Sequence, residues 1–100
     1  MKRKSATIRP VLKTALGKLY KADCMDVLPT LEAESVDTVF ADPPFNLNKQ
    51  YGTKTKDDQP DDIYLDWCRG WLRESVRILK PGGSLFLYNL PKWNIRLGRL

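Results

Sequence analysis

Val36-Asp37-Thr38-Val39-Phe40-Ala41-Asp42-Pro43-Pro44-Phe45 decides how this 100-residue chain is read. Its first six residues are β-branched, aromatic or small, with only Asp37 and Thr38 polar, and this predicts a buried parallel strand. An acid, two prolines and an aromatic ring then follow at once. Proline fixes φ and lacks an N–H, so Pro43 and Pro44 predict a stiff turn whose carbonyls stay out of any helix. Asp42 and Phe45 would leave the strand end together, an acceptor beside a flat apolar surface.

Downstream, Asn46–Pro60 is polar, mixed in charge and rich in turn formers, and reads as a mobile loop. A long amphipathic helix is expected from about Asp62 to Leu79. Tyr64, Cys68, Trp71 or Leu72, Ser75 and Leu79 form its stripe, widened by Leu65, Trp67 and Val76. Asp61 and Asp62 suit its N-terminus and Arg77 and Lys80 its C-terminus. Pro81-Gly82-Gly83 should end it. Ser84–Asn89 then reads as a second apolar strand. Upstream, Lys18–Ala22 reads as a short strand and Met25–Leu28 as a short helix bent by Pro29.

Strand, short helix, strand, long helix, strand is an α/β order with parallel strands. Ligands in such sheets gather beyond the carboxyl ends of the strands. Asp23, Asp42 and Asn89 each fall at such an end, so three polar groups are expected to converge on one edge.

Composition narrows the class further. With 42% hydrophobic and 29% charged residues, the chain is an ordinary globular sequence of one-domain size. It has no apolar run of membrane-spanning length and no apolar signal core behind its basic start, which favours a cytoplasmic protein. Cys24 and Cys68 have no metal-ligand spacing and no histidine to help them, so no metal is expected and both read as reduced thiols. The net charge of +5 resides in Lys2, Arg3, Lys4, Arg9 and Lys13. Residues 1–17 therefore form a basic leader, read as flexible, that suits phosphate backbones or a solvated terminus equally.

The chemistry that Asp42-Pro43-Pro44-Phe45 suits is activation of an aromatic amine. The lone pair of an exocyclic amine is delocalised into its ring, so the nitrogen is a poor nucleophile. Two acceptors on the amine hydrogens draw it toward a pyramidal shape, and they bind more strongly as positive charge develops. The Asp42 carboxylate and the Pro43 carbonyl are the candidate pair, with Phe45 stacking on the base. A base inside a duplex must be flipped out to reach them.

These residues resemble the catalytic motif of the amino-methylating DNA methyltransferases, which act on adenine N6 or cytosine N4. Leu19-Tyr20-Lys21-Ala22-Asp23-Cys24 is similar to that family's acid-ending strand near the cofactor. Arg77-Ile78-Leu79-Lys80-Pro81-Gly82-Gly83-Ser84-Leu85 is similar to its helix end and next strand. The resemblance runs from about Lys18 to Asn94. It implies a Rossmann-like fold dependent on S-adenosylmethionine, present in part, with about three strands of a mostly parallel sheet and flanking helices.

It further implies that Asp42, Pro43, Pro44 and Phe45 are catalytic, and that Asp23 and Asn89 contact S-adenosylmethionine. Asp23 is equally an N-cap of the Met25 helix, and Asn89 equally a strand end. Asn46, Lys49, Lys92 and Trp93 are candidate DNA contacts, although Asn46 also reads as a turn residue. An aspartate opening the motif leans toward adenine. Cytosine N4, ribosomal-RNA guanine N2, or a non-catalytic remnant that binds nucleic acid are the alternatives. The setting implied is DNA methylation, as in restriction–modification.

The family's Phe-x-Gly-x-Gly loop, which supports the methionine end of the cofactor, does not occur. In the permuted branch that loop follows the catalytic motif. Residues 18–100 are accordingly expected to be the N-terminal part of a catalytic domain, incomplete at the C-terminus, with the missing part as a possible partner. The Asp42 strand would then carry an unpaired edge.

Overall fold

A computed structural model describes residues 8–46 and 59–100 of the chain. Eight short elements follow in order. A hairpin of β1 (Leu12–Lys13) and β2 (Lys18–Leu19) precedes α1 (Cys24–Val27), which runs into a 3-10 turn at Leu28–Thr30. β3 (Val36–Ala41), α2 (Asp61–Ile78), β4 (Leu79–Leu87) and α3 (Pro91–Leu97) complete the order. The result is a mixed α/β fold in which β3 and β4 form a parallel two-stranded sheet.

Asp23 starts α1 by accepting the Met25 N–H on its side chain at 2.8 Å. Pro29 cannot donate to a continuing α-helix, and the chain tightens into the 3-10 turn there. α2 ends at Ile78, where Leu79 turns extended and pairs at once with Val36. Two of the helix's last carbonyls are still satisfied: the Glu34 N–H donates to Arg77 O at 3.0 Å and the Ser35 N–H to Ile78 O at 2.8 Å. The C-terminus of α2 is thus capped by the segment that leads into β3.

Pro81-Gly82-Gly83 lies within β4 and is not the turn that the sequence suggests. The parallel register runs Thr38 with Ser84 through Ala41 with Leu87, and shifts between Val36 and Thr38. Between those pairs β4 spends four residues, Lys80–Gly83, against the single Asp37 of β3, so this stretch forms an irregular excursion. Gly82 has φ +82, which glycine adopts without strain. At Gly83 a Cβ would sit 2.9 Å from both the Asp37 and Lys80 carbonyl oxygens.

The core is made by helices. Tyr64, Cys68 and Trp71 of α2 are buried against Trp93 and Leu97 of α3, with Trp67, Leu72, Ala41, Leu87 and Leu90 packed around them. Val76, expected in the buried stripe, is 61% exposed, and Ile78 is buried in the last turn. Asp61 at the start of α2 reaches Arg96 of α3 at 3.5 Å.

Two further expectations change. β3 is parallel but not buried on both faces: Val36, Val39 and Ala41 are half-buried, while Phe40 is 69% exposed. Its register partner Phe86 is 55% exposed. Both helices of the core pack on one face of the sheet, and no described element covers the other. The Lys18–Ala22 segment does not join this sheet. Only Lys18 and Leu19 are strand, and they pair antiparallel with Leu12 and Lys13. The Thr14 side chain closes that hairpin by accepting the Leu16 and Gly17 N–H groups.

Candidate active site

β3 delivers Asp42 to the carboxyl end of the parallel pair, where its side chain is exposed. Five consecutive backbone carbonyls leave the strand here, at residues 41–45. The Tyr88 N–H donates to Ala41 O at 2.9 Å, extending the β3–β4 pairing by one step. The Tyr64 hydroxyl donates to Pro44 O. The indole Nε1–H of Trp93 donates to Phe45 O at 2.8 Å. Among the described residues, the Asp42 carboxylate and the backbone carbonyls of Asp42 and Pro43 have no hydrogen-bond partner. The candidate pair read from the sequence, the Asp42 carboxylate and the Pro43 carbonyl, is among them.

The Phe45 ring is half-buried and lies 5.6 Å from the ring of Tyr88, tilted by 43°. Asn46 follows in the left-handed region at φ 58. Its side chain grips the chain just before α2: Nδ2 donates to Gln59 O, and Oδ1 accepts the Gln59 N–H, both at 2.8 Å. Asparagine tolerates this backbone region and supplies both partners of the clasp.

A cavity of about 450 Å³ opens beside the turn, with Asp42, Pro43 and Pro44 along one side and Asp23, Trp67 and Trp71 along the others. That volume lies within the range of small-molecule sites. Asp23 and Asp42 both line this space, although Asp23 reaches it as the N-cap of α1 and not from a strand of the β3–β4 sheet. Asp23 also caps α1, so its two sequence readings are compatible. Cys24 at the cavity wall has its thiol pushed up by partial burial and then by the Asp23 charge, so it stays protonated at neutral pH.

Asn89 does not line this cavity. Its Nδ2 donates to the Tyr64 hydroxyl at 3.0 Å and its Oδ1 accepts the Leu90 N–H at 2.7 Å. The side chain is thus engaged behind the turn, on the core side. Trp93 is also corrected: expected on a nucleic-acid surface, it is fully buried at 0% exposure. A ring of that size seals the α2–α3 core, and its one polar atom is bound to Phe45 O. Lys92 is exposed, with Nζ 4.5 Å from the centroid of the Trp93 ring. Lys49 lies outside the described residues.

Tyr64 and Tyr88 were not read from the sequence as part of the site. Tyr64 sits in the helical stripe, where an aromatic residue signals core. The usable signal was its hydroxyl, because a buried tyrosine O–H needs a partner. Among the described residues, no group of three or more histidine, cysteine or acidic side chains could hold a metal ion. No helix among them is long and apolar enough to cross a membrane.

An acid and an unpartnered carbonyl thus stand on adjacent residues of a proline turn at the end of a parallel strand. The chain belongs to the DNA methylase family, the amino-methylating N6 and N4 group, whose model matches residues 36–94. It is 52% identical over 90 residues to the type II methyltransferase M.BamHI of Bacillus amyloliquefaciens, covering 90% of this chain and 21% of that protein. It is 38% identical over 71 residues to M.HpaI of Haemophilus parainfluenzae, covering 71% of this chain and 22% of the relative. It is 36% identical over 71 residues to the DNA adenine methyltransferase YhdJ of Escherichia coli, covering 71% of this chain and 24% of the relative. The chain therefore spans about a fifth to a quarter of the length of these relatives. No solved structure matches it.

Proposed function

We propose that this chain supplies the amine-binding half of a DNA methyltransferase active site, in which an exocyclic amine of a flipped base is methylated. The observation that carries this reading is the pattern of carbonyls at the end of β3. Those of Ala41, Pro44 and Phe45 are bound, whereas among the described residues the Asp42 carboxylate and the Asp42 and Pro43 carbonyls have no partner, and the carboxylate and the Pro43 carbonyl are the pair taken to hold the amine. Two acceptors on adjacent residues suit the two hydrogens of one amino group. Both strengthen as charge develops on nitrogen, so they favour the transition state over the bound base. The Phe45 ring offers the stacking surface, worth roughly 1–3 kcal/mol per base in single-strand systems.

The cofactor in this reading is S-adenosylmethionine, which supplies an electrophilic methyl group. The cavity beside Asp42 has the size and the mixed acidic and aromatic lining to take part of such a molecule. Asp23 and Trp67 are the residues of this chain placed to meet it. The complete fold would be Rossmann-like, with further strands extending the β3–β4 pair. Because the glycine-rich loop does not occur in these residues, the 100-residue chain by itself should bind S-adenosylmethionine weakly and turn over little. Tight binding by calorimetry would refute that.

Adenine N6 is the favoured amine, on the aspartate that opens the motif and on the adenine specificity in the name of YhdJ. Labelled methyl incorporation into DNA, by the full product of the reading frame and by its Asp42→Ala variant, tests the proposal. Asp42→Ala should lose at least about a hundredfold in rate, as for removal of a preorganised electrostatic group. Equal incorporation by both would remove Asp42 from the mechanism. Nucleoside analysis of the product separates N6-methyladenine from N4-methylcytosine.

A further inference from the structure

The two open acceptors have no direct support of their own. Asp42 is exposed and bonded to nothing among the described residues, so the direction of its carboxylate comes from the backbone that carries it. That backbone is held on one side by β4, through Tyr88 N–H and Ala41 O. On the other side it is held by two side chains from the core, which bind the carbonyls of Pro44 and Phe45 in succession.

The donors are well fixed. Tyr64 and Trp93 are each 0% exposed, and their ring centroids lie 4.7 Å apart at a tilt of 51°. Asn89 donates its Nδ2–H to the Tyr64 oxygen, while its own Oδ1 is occupied by the Leu90 N–H. With a lone pair so engaged, the hydroxyl proton is directed at the Pro44 carbonyl. α2 and α3 thereby reach the turn through the only polar atoms of two otherwise apolar core rings.

We infer that Tyr64 and Trp93 are positioning residues of the methyl-transfer site: each binds one carbonyl of the turn, and together they aim the Asp42 carboxylate and Pro43 carbonyl at the substrate amine. The inference rests on the amino-methyltransferase reading above. Tyr64 binds the residue adjacent to Pro43, so its hydroxyl governs the amine acceptors. Trp93 binds Phe45, so its indole N–H governs the stacking ring. A displacement of about an ångström in such a group is enough to slow a positioned reaction by orders of magnitude.

The test is Tyr64→Phe in the full product of the reading frame, which deletes one oxygen and keeps the buried ring. Two quantities are read. In steady-state kinetics kcat should fall about tenfold or more, with KM for DNA and for S-adenosylmethionine changed by less than about twofold. In a three-dimensional carbonyl-correlated NMR spectrum, the Phe45 amide reports the Pro44 carbonyl carbon, which should move upfield on losing its donor. The Asn46 amide, reporting the Phe45 carbonyl still held by Trp93, should stay in place. An unchanged kcat in an active enzyme overturns the positioning role. If the wild type transfers no methyl group, the methyltransferase reading fails instead. The carbonyl shift then decides the brace alone, and an unmoved Pro44 carbonyl overturns it.

Discussion

The two faces of the β3–β4 sheet are built on opposite principles. Toward α2 and α3, three large rings are buried, those of Tyr64, Trp71 and Trp93, and Tyr64 and Trp93 hold the turn after β3. On the other face Phe40 and Phe86 stand opposite each other across the strand pair and remain mostly in water. Both faces belong to the same two strands. Burial in a sheet therefore follows from what is laid on it, and strand composition only permits it.

That contrast is open to attack by mutation. Trp93→Ala should be the most damaging change, removing a fully buried ring and the donor to Phe45 O at once. A loss of roughly 3–5 kcal/mol is expected in denaturant unfolding. An equal effect from Phe40→Ala would erase the distinction between the faces.

Gly83→Ala probes the seam between the strands. Its new Cβ would press on the Asp37 and Lys80 carbonyl oxygens, both backbone atoms that cannot swing aside. Destabilisation of about 1–3 kcal/mol should appear as a lower unfolding midpoint. Gly17→Ala, with open space around it, serves as the contrast.

Cys68 gives a pH signature of the packed face. Burial pushes its thiol up from 9.0 to about 11. Between these two values the unfolded chain loses the proton that the folded chain retains. Stability should thus be whole below pH 9 and fall as pH rises toward 11. Cys68→Ala should show a shallower alkaline decline when unfolding is followed across that range. The smallest effect is expected for Phe40→Ala, within about 0.5 kcal/mol as for exposed sites.

Much of this was legible in the residues. The 18-residue helix announced itself through the spacing of Tyr64, Cys68, Trp71 and Ser75 and the acids at its start. β3 and its exit into Asp42-Pro43-Pro44-Phe45 followed from a short apolar run meeting two prolines. Both are local signals, set by periodicity and by the backbone limits of proline.

What sequence could not reach were the pairings. Lys18–Leu19 has strand character, yet its partner is the adjacent Leu12–Lys13, since a close turn costs less chain entropy than a distant crossover. Pro81-Gly82-Gly83 has turn character, yet pairing of Leu79 with Val36 draws it into β4 as an excursion. Trp93 reads as a nucleic-acid contact and Asn89 as a cofactor contact or strand end, and only packing engages both behind the turn. The amino-acid sequence alone determined which atoms are offered as acceptors in the proposed amine site, because that depends on residue type and a rigid local turn. Tertiary structure alone decided which acceptors remain free, because hydrogen bonds from α2, α3 and β4 consume their neighbours.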